Sequence, residues 1–132
     1  MSINHSIAGI VRRDGKFLIA KRKPGGALSE KWEFPGGKVE QGETDREAII
    51  REWDEEFRID VEPGVFICSG TFSHKGKDFL LSAYEVTLLS ENFQLLEHTE
   101  IQWKTMDTIE KMDVADSDRG LFSQIKEFYS LN

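Results

Sequence analysis

Cysteine is almost absent. Cys68 stands alone, which excludes an intrachain disulfide and any cysteine-cluster zinc site. Only three histidines are scattered along the chain, so a histidine-built metal centre is not expected either. Proline occurs three times, and no repeat, low-complexity tract or linker interrupts the sequence. No apolar run approaches the roughly 18 residues that a membrane span needs, and the N-terminal MSINHSIAGIVRRDG lacks a signal-peptide layout. We therefore expect a cytoplasmic protein with no membrane partner. Basic residues are also scarce: the net charge is -7, which argues against a stable nucleic-acid complex. What remains is a 132-residue chain, long enough for one mixed core and too short for two, which we read as a single domain over 1–132. Catalysis in such a chain must rest mostly on carboxylates.

Those carboxylates are unevenly placed. Residues 40–62 hold ten acids against three bases, and outside that segment the two signs balance. A charge run of this kind is ordinarily a solvated helix face, so its local pattern decides its meaning.

His5 to Arg12 and Lys16 to Lys21 are short β-rich runs joined at Asp14-Gly15, a hairpin signal. A loop from Lys23 to Lys31 follows, then a brief apolar stretch at Trp32-Glu33-Phe34 that Pro35-Gly36-Gly37 breaks. From Thr44 to Phe57 the period is helical, with Thr44 and Glu47 forming a capping box. Val65 to Phe72 and Asp78 to Leu88 read as a second hairpin around a polar turn. Glu100 to Lys104 reads as a last strand, and Arg119 to Tyr129 as a closing amphipathic helix. The fold class is α+β: a mixed sheet with helices packed on it.

On the central helix, Glu52, Glu55 and Glu56 fall within one arc of about 100°. Ile49, Ile50, Trp53 and Phe57 fill the neighbouring arc, so the helix buries one side and presents acids at its edge. Like charges at these spacings repel. Arg51 is expected to pair with one acid at most, leaving carboxylates free in the oxygen-rich setting that Mg²⁺ or Mn²⁺ prefers.

Upstream spacing sharpens this. Gly37 is followed after five residues by Glu43 and after seven more by Arg51-Glu52, then Trp53, one residue, and Glu55-Glu56. As written, GGKVEQGETDREAIIREWDEEFRI resembles the box of the Nudix hydrolases, G-x5-E-x7-R-E-U-x-E-E-x-G-U with U apolar, here over 37–59. Six fixed identities coincide by chance on the order of once in 10⁷ windows. Two positions depart from it: Arg58 stands where the family has Gly, and Trp53 where an aliphatic residue is usual. Glycine there suits a left-handed helix end, so keeping that backbone with Arg58 costs on the order of 1 kcal/mol. Trp32 to Glu40 further resembles the MutT branch of the family and its CTP pyrophosphohydrolase-like members.

The resemblance implies an α/β/α sandwich and a hydrolase that uses divalent metal to cleave a small nucleotide substrate, as monomer or homodimer. It implies that Glu52, Glu55 and Glu56 are metal ligands with the Gly36 carbonyl, and that Arg51 orients an acid. Glu97, six residues ahead of Trp103, matches a further metal-binding or base-acting Glu, with Glu100 a nearby competitor and a plain surface acid the alternative. Glu43 is left as a supporting loop acid. Arg22 matches a phosphate-facing Arg, a role that a guanidinium suits. Asp116 matches the position that reads the base, where a carboxylate would accept from an exocyclic amine; the competing reading makes Asp116 or Asp118 a helix N-cap. Phe34 and Phe72 are candidate stacking partners for a base, or core aromatics. The expected activity is hydrolysis of a (deoxy)nucleoside triphosphate, including damaged or modified ones, to monophosphate and pyrophosphate. The alternatives are cleavage of another nucleoside diphosphate derivative such as ADP-ribose or a nucleotide sugar, and a nucleotide-sensing module without turnover.

Overall fold

The computed structural model describes residues 4–131, so the extreme ends of the expected 1–132 domain lie outside the described residues. Its elements are β1 (Asn4–Ile10), β2 (Arg12–Arg13), β3 (Lys16–Arg22), β4 (Trp32–Glu33), β5 (Gly36–Lys38), α1 (Asp45–Phe57), β6 (Val61–His74), β7 (Lys77–Leu88), β8 (His98–Lys104), α2 (Met106–Ile109), α3 (Asp116–Arg119) and α4 (Phe122–Phe128). One sheet runs β5-β1-β7-β6, with β1 and β7 parallel and the other pairs antiparallel. In the other, β3 is central, with β8 on one side and β2 and β4 on the other, all antiparallel to it.

Both faces of the sheets are covered, and strand alternation assigns the sides. Ile7, Leu18 and Ala20 join Ile49, Trp53 and Phe57 of α1 in one core. Ala8, Phe17 and Ile19 join Met106, Ile109, Phe122 and Ile125 of the short helices in the other. This is the α/β/α arrangement expected, with mixed strand directions. Trp53 and Phe57 are fully buried, and such side chains contribute about 1.5–3 kcal/mol each.

Helix α1 starts as expected: Thr44 Oγ1 accepts from Glu47 N, and the Glu47 carboxylate accepts from Thr44 N. It ends on Arg58 at φ 53, ψ 42, so the left-handed end persists without glycine. Trp53 fits because residue 9 is glycine: a β-carbon there would lie 2.7 Å from Trp53 Nε1.

Four local expectations are corrected. Asp14-Gly15 does make a tight turn, both residues at positive φ, but it joins β3 to the two-residue β2. The body of the first run, β1, leaves to pair with β5 and β7 in the other sheet. The closing helix is split, because α3 ends at Gly120 before α4 begins. Neither Asp116 nor Asp118 is an N-cap; Ala115 holds that place with no side-chain cap bond. Ile50, expected in the buried arc, is 47 % exposed, whereas Glu56 is only 4 % exposed. The buried face of α1 is therefore turned toward Glu56, which lies within it, while Glu52 is half-buried at its edge and Glu55 is exposed.

Candidate active site

The first group of site residues is organised by Arg51. Its guanidinium donates from Nε and Nη2 to the two carboxylate oxygens of Glu43 at 2.7 and 2.9 Å, a bidentate pair. Nη1 donates to Glu52 at 2.8 Å and to Glu55 at 3.1 Å, and Nη2 also reaches the Lys38 carbonyl at 2.8 Å. The expectation of a single partner is thus corrected, since three carboxylates and the end of β5 converge on one cation. The Arg51 hydrogen bond holds the Glu43 carboxyl below its usual range. Hydrogen bonding to Glu43 and Glu52 raises the already high Arg51 pKa against the opposing effect of burial. Glu52 goes the other way: burial raises its pKa although Arg51 opposes this. Its carboxylate fills the space over Gly37, where a β-carbon would lie 2.6 Å away. Gly37 pairs with Ile7 on the face turned to α1, so glycine at 37 is what lets Glu52 reach the sheet.

The second group lies one helical turn further along α1 and follows from strand register. Glu33 of β4 stands opposite Ala20, and His98 of β8 opposite Arg22. Ala20 and Arg22 are two apart on β3, so all three polar side chains share the α1 face. Arg22 Nη1 donates to Glu33 Oε2 at 3.1 Å, and His98 Nε2 lies 2.9 Å from the same oxygen. His98 is buried and stacks on Phe57 with centroids 5.1 Å apart. Glu56 drops from α1 into this company, with Glu33, Glu56 and His98 offering atoms within 4.8 Å of one another. Burial first, then Glu33 and Glu52, push the Glu56 pKa well above its usual value. Glu56 Oε2 and His98 Nδ1 are buried and find no hydrogen-bond partner among the described residues. A buried carboxylate oxygen without a donor is costly unless a cation meets it. The donor set, rich in carboxylate oxygen, fits a hard divalent cation.

Beside these groups opens a cleft of about 740 Å³, bounded by Arg22, Glu33, Gly37, Phe72, Asp116 and Asp118 among others. Glu33 lies on its wall, as do Phe72 and Phe79, whose rings stack with centroids 5.0 Å apart. Lys38 Nζ sits 5.4 Å from the Phe79 centroid, bringing a cation to the same wall.

A family model for the NUDIX domain matches residues 7–124. The chain belongs to the NUDIX-domain family. It is similar to the CTP pyrophosphohydrolase of Escherichia coli (strain K12), 35 % identical over 103 residues, covering 78 % of this chain and 76 % of that one. It is also similar to the 8-oxo-dGTP diphosphatase of Proteus vulgaris, 33 % identical over 84 residues, covering 63 % of this chain and 75 % of that one. Among solved structures, the E. coli ORF135 protein superposes with a TM-score of 0.87 at 30 % identity, over 98 % of this chain and 93 % of that one.

Within the Nudix box, the structure brings Arg51, Glu52 and Glu55 together and sets Glu56 one turn deeper. Gly36 lines the cleft and is held tightly against β1, where a β-carbon would lie 1.9 Å from the Ile7 carbonyl oxygen. Glu97 is exposed, yet close enough to Glu56 and Arg22 to perturb both. Arg22 and Asp116 line the cleft. Phe34 touches it but is 3 % exposed and packs edge-on against Phe122 at 6.2 Å, a core setting. Three residues escaped sequence reasoning. Glu33 and His98 meet only because β3 lies between β4 and β8. Asp118 gave no signal beyond a capping position that it does not occupy. The one available pointer was Glu33 itself, a lone acid between Trp32 and Phe34 in a strand-like run.

Proposed function

We propose that the chain is a Mg²⁺-dependent nucleoside triphosphate pyrophosphohydrolase of MutT type, releasing monophosphate and pyrophosphate from a (deoxy)nucleoside triphosphate, damaged or modified ones included. The observation that carries this reading is the buried, unpartnered Glu56 Oε2 within 4.8 Å of Glu33, which itself lines a cleft of about 740 Å³. The names of the relatives, a CTP pyrophosphohydrolase and an 8-oxo-dGTP diphosphatase, support the substrate class. Glu52, Glu55, Glu56, Glu97 and the Gly36 carbonyl would hold the metal, and Mn²⁺ can replace Mg²⁺ there. When bound, the cation screens the phosphate oxygens and makes a coordinated water more acidic. Arg51 locks Glu43, Glu52 and Glu55 in place, so their carboxylates need not reorganise during turnover. Arg22, braced by Glu33, presents its guanidinium to the phosphates at the cleft wall. Three acids are candidates to take the water proton, Glu55, Glu56 and Glu97. Asp116 accepts from an exocyclic amine of the base.

The test is a substrate panel with Mg²⁺: nucleoside triphosphates, 8-oxo-dGTP, ADP-ribose and a nucleotide sugar. Monophosphate and pyrophosphate from one or more triphosphates support the proposal, and H₂¹⁸O labelling then identifies the phosphorus attacked. AMP from ADP-ribose with no triphosphate cleaved would move the substrate assignment. Absence of any turnover would leave a nucleotide-sensing module instead.

A further inference from the structure

Glu33 and His98 stand outside the Nudix box, on β4 and β8, and both are buried with Glu56. Positive charge is short there. Arg22 Nη1 donates to Glu33 Oε2, and His98 Nε2 lies against that same oxygen, while Glu56 Oε2 and His98 Nδ1 meet no partner among the described residues. Neither tautomer of His98 removes the conflict. With the proton on Nε2, Nδ1 is a buried lone pair without a donor. With the proton on Nδ1, the Nε2 lone pair confronts the Glu33 carboxylate at 2.9 Å. A cation between the imidazole and the two carboxylates relieves that confrontation and gives Glu56 Oε2 a partner. Zn²⁺ bonds of about 2.0–2.2 Å set neighbouring tetrahedral donors roughly 3.4 Å apart. The trio, with every offered atom within 4.8 Å of the others, needs little adjustment to reach that spacing. The nitrogen matters for selectivity, because Mg²⁺ takes oxygen donors, whereas imidazole suits zinc and later transition metals.

We propose that Glu33, Glu56 and His98 form a binding site for Zn²⁺ and similar nitrogen-seeking divalent ions, and that an ion held there competes with Mg²⁺ for Glu56 and inhibits the protein. The site is independent of the reaction; the inhibition rests on the triphosphate-hydrolase reading above. Glu33 and Arg22 border the cleft, which gives the ion a way in. Arg22 opposes it by offsetting one of the two carboxylate charges. Once seated, the ion draws Glu33 away from Arg22 as well as occupying Glu56, so the phosphate-facing guanidinium loses its brace at the same time.

Two substitutions remove the imidazole in different ways. His98→Phe keeps a ring stacked on Phe57, and His98→Gln keeps a polar group beside Glu33. Wild type and both variants, stripped with EDTA and dialysed, are titrated by calorimetry with ZnCl₂ alone and with MgCl₂ alone. Wild type is expected to bind Zn²⁺ more tightly than Mg²⁺. Both variants should lose Zn²⁺ affinity on the order of tenfold or more, with a far smaller change for Mg²⁺. In ¹⁵N-labelled wild type, the His98 ring nitrogens, assigned through the contact with Phe57, should shift with Zn²⁺ and not with Mg²⁺. In Mg²⁺-supported turnover, added Zn²⁺ should inhibit wild type, and raising Mg²⁺ should relieve it. Each variant, compared with its own zinc-free rate, should need on the order of tenfold more Zn²⁺ for half-inhibition. Equal Zn²⁺ affinity in wild type and variants, unmoved His98 resonances, or inhibition that more Mg²⁺ does not relieve would overturn the proposal. Should both variants fail to fold, the wild-type resonances decide it. A wild type that binds Zn²⁺ through His98 and cleaves no triphosphate keeps the site and removes the hydrolase reading. Mg²⁺-dependent cleavage that Zn²⁺ inhibits equally in wild type and variants removes this inference and leaves the hydrolase reading intact.

Discussion

Glu56 occupies a position that packing alone would fill with an apolar side chain. It faces the same core as Ile49 and Trp53, and nothing among the described residues donates to its Oε2. Such a group is held against its own desolvation, so Glu56→Gln should lower turnover by several orders of magnitude while the metal-free protein melts no lower, and even higher, than wild type. Steady-state kinetics beside calorimetry check both halves; near-normal activity removes Glu56 from the chemistry. Asp118 gives a separable test in pH. Burial first, then Glu33, pushes its pKa up to about 7. The folded chain therefore binds this proton more tightly than the unfolded chain does. Its contribution is fully favourable below the ordinary carboxylate range and is lost as pH rises through about 7. Metal-free wild type should lose melting temperature between pH 5 and pH 8, on the order of 5 °C from this group. Asp118→Asn should flatten the decline, and an unaltered slope would assign it to other groups.

At the scale of elements, α1 was the most legible part of the chain because its signals are local. The capping box, the helical period and the acid spacing all lie within fourteen residues, and the helix begins and ends where they say. Its C-terminal end carries a measurable flaw. Arg58 holds φ 53 without glycine, and its exposed contact with Asp54 at 3.3 Å contributes little. Arg58→Gly should therefore stabilise the protein by up to about 1 kcal/mol, read by urea denaturation with no change in kcat. Gly9→Ala should act oppositely, costing about 1–3 kcal/mol, because the new methyl group meets the Trp53 indole. Strand pairing was less legible. Asp14-Gly15 marks a turn correctly, but a turn signal does not say how much of the preceding run stays in the hairpin. β1 gives its length to a parallel partner, β7, more than seventy residues away in sequence, and no local pattern encodes that choice. The split between α3 and α4 was hidden for a related reason, since Leu121, Phe122 and Ile125 all face one core whether or not the helix is continuous.

Across the whole molecule, the two halves of the candidate site differ in origin, and that difference decides what the sequence could disclose. The half on α1 has fixed spacing and was readable. The half made of Arg22, Glu33 and His98 comes from three strands and exists only through register, and the Phe34 contact of Asp118 spans 84 residues of sequence. The fold joins them by laying α1 across both sheets, with Glu52 over Gly37 and Glu56 beside Glu33. It thereby sets four acids of the 40–62 segment, Glu43, Glu52, Glu55 and Glu56, against Arg51 and Glu33. A site that concentrates like charge and buries part of it should stabilise the fold strongly when a cation binds. At a hundredfold excess over its dissociation constant, a ligand of the native state contributes about 2.7 kcal/mol, here a rise in melting temperature on the order of 10 °C. Differential scanning calorimetry in EDTA and then in Mg²⁺ measures it, with NaCl at matched ionic strength to subtract ordinary screening. Wild type should show the excess rise, and Glu56→Gln should begin from an equal or higher metal-free value and gain less. If Mg²⁺ and NaCl shift wild type equally, the carboxylates are a solvated acidic face, and the reading of the cleft as a metal-dependent hydrolase falls with them.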